Sequence, residues 1–106
     1  MRRADVSHED AMVQMLRNDP AFTAEYVRVA LEEVGEKGGQ AALLSVLRQV
    51  AKARGMAYVA KAAGVERESL YRALSPRGNP RLTTLIALMK TLGLSLTVTP
   101  ARRKAA

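Results

Sequence analysis

A chain of 106 residues, 48% of them hydrophobic, bounds one small domain, and the absence of cysteine rules out a disulfide framework or a thiolate metal site. The net charge of +7 is unevenly placed: residues 1–52 hold seven Lys/Arg against eight Asp/Glu, a balance of −1, and residues 53–106 hold ten against two, a balance of +8. A one-sided basic excess attracts polyanions through counterion release, and nucleic acid fits it better than a membrane surface because no long amphipathic helix carries the charge.

No apolar run is long enough for a membrane span and no secretory leader opens the sequence, so a cytoplasmic protein without a membrane partner is expected. Phe22, Tyr26, Tyr58 and Tyr71 are the only aromatic residues, which leaves Leu, Val, Ala and Met to fill a helical core. Residues 1–6 read as a loose arm. Ser7 precedes Glu9 and Asp10 and is placed to cap a first helix carrying Ala11, Met12, Met15 and Leu16 and ending near Asn18. Asp19-Pro20 then stops one helix and starts the next, with aspartate as cap and proline in the first turn. Phe22, Tyr26, Val29, Ala30 and Val34 recur at helical spacing, and Glu32, Glu33 and Glu36 read as the solvated side. The glycine-rich 34–39 stretch ends that helix. It lacks the strand and the Lys-Ser/Thr pair of a phosphate loop.

Residues 40–54 predict a third helix with Leu43, Leu44, Val46, Leu47 and Val50 as its apolar stripe. Residues 56–74, MAYVAKAAGVERESLYRAL, then read as a short helix, a tight turn at Gly64 and a second short helix. Val59, Ala60, Ala63, Val65, Leu70, Ala73 and Leu74 face inward in this pattern, and Glu66, Arg67, Glu68, Ser69, Tyr71 and Arg72 face outward. That is the build of a helix-turn-helix whose second helix enters the major groove of DNA. Residues 75–81, SPRGNPR, predict a fixed loop in which Arg77, Asn79 and Arg81 are suited to phosphates. Residues 82–92 predict a sixth helix burying Leu85, Ile86, Leu88, Met89 and Leu92 and closed by Gly93. Residues 94–99, LSLTVT, alternate as a β-strand does. A lone strand needs a partner, so Leu94, Leu96 and Val98 are expected to dimerise with a second copy, or to meet an edge of another protein.

Catalysis finds little support. His8 is the only histidine, no metal-ligand partner lies at a suitable spacing, and Ser45, Ser69 and Ser75 have no base nearby in sequence. The chain is expected to need no cofactor or metal and not to be an enzyme.

The segments LRQVAKARGM, VAKAAGVERESLYRALS and GNPRLTTLIALMKTLGLSL, with DPAFTAEYVRVALEE upstream, resemble the probable addiction-module antidote proteins. This is the HigA-like branch of the lambda-repressor-like (Xre) helix-turn-helix families, and the likeness spans residues 18–99. The most distinctive run is RESLYRALSPRGNPRLTTL. The resemblance implies an all-α fold: residues 1–38 as a helical extension, 39–100 as the helix-turn-helix domain with a short C-terminal strand, and 101–106 as a basic tail. It also implies an antitoxin that binds a RelE/ParE-like toxin directly and, as a homodimer, represses the operon they share by binding operator DNA. Carried over by position, the DNA-facing residues are Met56, Ala57, Glu66, Arg67, Glu68, Ser69, Tyr71 and Arg72, with Arg77, Asn79 and Arg81 in the loop. Met56 replaces a frequent phosphate-holding glutamine, and Glu66 replaces a serine or threonine cap. The rivals are a stand-alone, phage-type regulator without a toxin and a toxin inhibitor that has lost DNA binding.

Overall fold

The computed structural model describes residues 8–101. Six helices occur among them: α1 His8–Asn18, α2 Pro20–Glu32, α3 Gly39–Arg54, α4 Met56–Ala63, α5 Arg67–Ala73 and α6 Leu82–Thr91. The arm at 1–6, the Ser7 cap and all but the first residue of the basic tail lie outside the described residues.

Local chemistry sets the helix ends. The Asp19 carboxylate accepts the Phe22 amide at 3.0 Å, and Pro20 fills the first turn of α2. α6 closes through Gly93 at φ 75, with the Gly93 amide donating to the Lys90 carbonyl and the Leu94 amide to that of Met89.

α3 is the scaffold. It is rich in strong helix formers, and Leu43, Leu44, Val46, Leu47, Val50 and Ala51 are buried at helical spacing. α1, α2 and α4 all pack on it, and α4 in turn carries α5 and α6. Leu16, Val27 and Ala30 of the first two helices join the same core as Val59, Leu70, Leu74 and Leu88.

Polar ties fix α1 and α2 on α3. Glu9 binds Lys52 and lies 3.7 Å from Arg48. The Lys52 hydrogen bond holds the Glu9 carboxyl below the ordinary glutamate range, against the opposing effect of burial. The Tyr26 hydroxyl donates to Gln49 Oε1 at 2.7 Å, and Gln49 Nε2 donates to Ser45 Oγ at 3.2 Å. Burial pushes the Tyr26 pKa up, although the Gln49 bond pulls the other way.

Three expectations are corrected. Residues 94–99 form no strand, because nothing in the described chain pairs with them, and a single strand has no independent stability. Leu94 is instead drawn onto the core, and Leu96 and Val98 stay exposed. The inner face of α2 is Thr23, Val27 and Ala30, flanked by partly buried Phe22 and Tyr26. Val29 and Val34 point to solvent. Thr23 is buried without penalty because its hydroxyl donates back to the carbonyls of Leu16 and Asp19, at 3.0 and 3.1 Å. On α6, Ile86 is exposed, while Leu88, Met89 and Leu92 turn to the core with Leu85 partly buried.

Candidate nucleic-acid interface

α4 and α5 are joined by a turn that only a left-handed residue can make. Gly64 sits at φ 76, its amide donates to Lys61 and the next amide, of Val65, donates to Ala60. Both bonds satisfy carbonyls at the end of α4, and glycine takes this conformation without a Cβ penalty. Ala60, buried to 2% exposure, keeps the crossing close. From α5, Leu70 and Leu74 enter the core. Arg48 of α3 donates to the Leu74 carbonyl at 2.7 Å and so caps the C-terminal end of α5. The helix is fixed on one side by packing and at one end by a charge-assisted bond.

Its opposite side is solvated. Arg67, Glu68, Tyr71 and Arg72 are exposed and Ser69 is half-buried. Arg67 and Tyr71 are one turn apart, and the guanidinium lies over the ring, 5.7 Å from its centroid. Glu66 precedes the helix in extended backbone, and its side chain caps no amide.

The loop after α5 is part of the same surface. Ser75 Oγ donates to the Arg72 carbonyl at 2.7 Å, and the Gly78 amide donates to the Ser75 carbonyl at 2.8 Å. Gly78 approaches α5 so closely that a Cβ there would stand 1.9 Å from the Ala73 carbonyl oxygen and 2.8 Å from that of Arg72. This contact holds Arg77 and Asn79, the neighbours of Gly78, at the C-terminal end of α5. Both are exposed, as is Arg81 at the entry to α6.

Basic side chains divide by use. Arg48 and Lys52 are engaged with Glu9, and Arg54 donates to the Thr91 carbonyl at 3.0 Å, capping α6. Among the described residues, Lys37, Lys61, Arg67, Arg72, Arg77, Arg81 and Lys90 have no ion-pair partner, and all but Lys37 lie on α4–α6 and the loops between them. Their charge is therefore available to an external anion. Of the other residues singled out from sequence, Ala57 is exposed and Met56 is turned into the core at 5% exposure. Sequence reasoning missed the capping roles of Arg48 and Arg54, and also the Gly78 contact.

A second concave feature lies elsewhere. A groove of about 570 Å³ runs between α2 and residues 93–99, lined by Val27, Leu31, Met89, Leu94 and Leu96 with Glu32 among them. His8 is exposed, and no helix among the described residues is long and apolar enough to cross a membrane.

A family model described as a probable addiction module antidote protein matches residues 8–100. An uncharacterized protein of Haemophilus influenzae (strain ATCC 51907 / DSM 11121 / KW20 / Rd) is 38% identical over 78 residues, covering 74% of this chain and 80% of that protein. No solved structure matches the chain.

Proposed function

The chain belongs to the family of probable addiction module antidote proteins, and from that membership we propose that it is the antitoxin of a two-gene module. It neutralises a RelE/ParE-like toxin by direct binding and represses the shared operon as a homodimer. α4 and α5 act as a lambda-repressor-like helix-turn-helix. The observation that carries the DNA reading is the set Arg67, Arg72, Arg77 and Arg81, placed on α5 and on the loop pinned to it, with no carboxylate partner among the described residues. α5 lies in the major groove, where arginine reads guanine through two parallel hydrogen bonds. Arg77 and Arg81 meet phosphates and set the register. Two-fold symmetry of the protein is mirrored in a palindromic operator. Binding performs both tasks, so the reading requires neither a cofactor nor a catalytic step.

The test is a gel-shift titration on the DNA upstream of the operon at several salt concentrations. Each phosphate contact contributes about 0.9 to the slope of log affinity against log salt, so Arg77→Ala lowers the slope by about that amount per protomer. Arg67→Ala relaxes specificity at one base pair and costs about 1–3 kcal/mol. Binding that ignores both salt and these substitutions refutes the DNA reading.

A further inference from the structure

We propose that the groove between α2 and residues 93–99 is the toxin-docking surface, and that it holds the toxin by pairing a basic strand with the Ser95–Thr99 backbone. The proposal rests on the antitoxin reading and specifies where that reading acts.

Three independent observations converge on the groove. Its volume is that of a binding cleft, and its lining is mostly aliphatic, with Val27 and Leu31 from α2 facing Met89, Leu94 and Leu96. The backbone along one side is open: no N–H or C=O of Ser95–Thr99 is hydrogen-bonded to any described residue. Unpaired backbone carrying alternating apolar residues is a template for strand addition, in which main-chain bonds give affinity and alternate side chains give specificity. Leu94 and Leu96, the latter 50% exposed, present such side chains to the groove, and Val98, 94% exposed, continues the alternation outside its lining.

The third observation is charge, and it selects the occupant. Arg28 and Glu32 both line the groove and pair with each other, and Glu25 beside them also holds the Arg28 guanidinium, which leaves one net negative charge on that face of α2. Glu33, Glu36 and Lys37 are all exposed in the following turn and add one further net negative charge. In a chain of net charge +7 this is an acidic island, and it favours a basic partner. A second copy suits it poorly. A two-fold interface brings the same patch together from both copies, and LSLTVT carries no positive charge to offset the doubled net negative charge that remains after Arg28 is counted.

The placement also leaves α5 free. α2 packs on α1 and α3, whereas α5 is carried by α4. One protomer therefore holds toxin and DNA at the same time.

The experiment uses the full chain and the toxin encoded by the neighbouring gene, co-expressed and then titrated as purified proteins. Leu96→Arg sets a positive charge against the incoming strand, and Glu32→Lys reverses the rim. Each weakens toxin affinity at least 10-fold, while the thermal midpoint, the molecular mass in solution and the DNA shift stay at wild-type values. Hydrogen exchange of the wild-type complex shows new protection at the amides of residues 96–99. Arg67→Ala retains full toxin affinity. Wild-type toxin affinity in both groove variants, without protection at 96–99, overturns the groove assignment and leaves the antitoxin reading intact. Loss of the dimer in Leu96→Arg makes the groove an interface between copies and overturns it too. Failure of the wild-type chain to bind the toxin removes the antitoxin reading itself.

Discussion

Substituting alanine at Gly78 tests whether the basic loop is a fixed part of the α5 surface. The added Cβ would lie 1.9 Å from the Ala73 carbonyl oxygen, 2.5 Å from its carbon and 2.8 Å from the Arg72 oxygen. All three are backbone atoms of Arg72 and Ala73 in the last turn of α5, so no side chain can rotate aside. Ordinary contact begins near 3.4 Å, so the loop must retreat by about 1.5 Å. Overpacking of this kind costs about 1–3 kcal/mol, and the stiffer unfolded chain returns about 0.4–1 kcal/mol. A net loss of about 1–2 kcal/mol lowers the thermal midpoint by about 4–16 °C in a domain of this size. The displaced loop carries Arg77 and Asn79 away from α5, so on the proposed DNA reading affinity for the upstream DNA should fall and its salt dependence flatten. Gly64→Ala is the control. Its left-handed φ of 76 costs about 1 kcal/mol, but nothing lies within 4 Å of the new methyl and no element has to move. Thermal unfolding followed by circular dichroism, paired with DNA titration, separates the two variants. The reasoning fails if Gly78→Ala melts within about 2 °C of wild type and binds DNA with the same affinity and salt slope.

Removing the Tyr26 hydroxyl in Tyr26→Phe leaves the Gln49 oxygen, buried to 6% exposure, without its donor. Urea unfolding should register a loss of about 1–3 kcal/mol, and an unchanged midpoint would show that the bond contributes nothing. Glu9, whose folded pKa is depressed by Lys52, stabilises the fold above the ordinary glutamate range, and that contribution is lost as pH falls through its folded value. Wild type should therefore lose stability on acidification more steeply than Glu9→Gln, and parallel pH profiles would contradict this. Replacing Arg48 with methionine removes the cap on α5 and, with it, the 3.7 Å contact to Glu9, so the melting temperature should fall. Equal stability of the two proteins would place the orientation of α5 on packing alone.

Helix ends were legible in the sequence because their causes are local. Asp19-Pro20, Gly64 and Gly93 each act within a few residues of themselves, and the structure starts or stops helices at all three. Faces were less legible. Thr23 is buried through hydroxyl bonds to the Leu16 carbonyl of the preceding helix and the Asp19 carbonyl at the cap of its own, so a polar residue occupies a core position that periodicity assigns to its apolar neighbours. Ile86 fits the apolar row of α6 as well as Leu88 does, and only the rotation of that helix on α4 decides between them. The alternation in 94–99 carries strand propensity, but pairing requires a partner that the described chain lacks.

For the candidate site, the outward placement of Arg67, Tyr71 and Arg72 followed from helical spacing once the buried positions of Leu70 and Leu74 were read correctly. The binding of the 75–81 loop to α5 was not legible, since Gly78 reads in sequence as one more turn residue. Nor was the groove beside α2, which exists only because residues 93–99 return alongside that helix.

The most direct test of the antitoxin–repressor account is growth of cells expressing the neighbouring-gene toxin, with this chain supplied from a second promoter and the native operon promoter read by a reporter. The account predicts that the wild-type chain restores growth and silences the reporter. The doubly substituted Arg67→Ala, Arg72→Ala chain should restore growth but leave the reporter active. Persistent growth arrest with folded wild-type chain present would contradict the account at its centre.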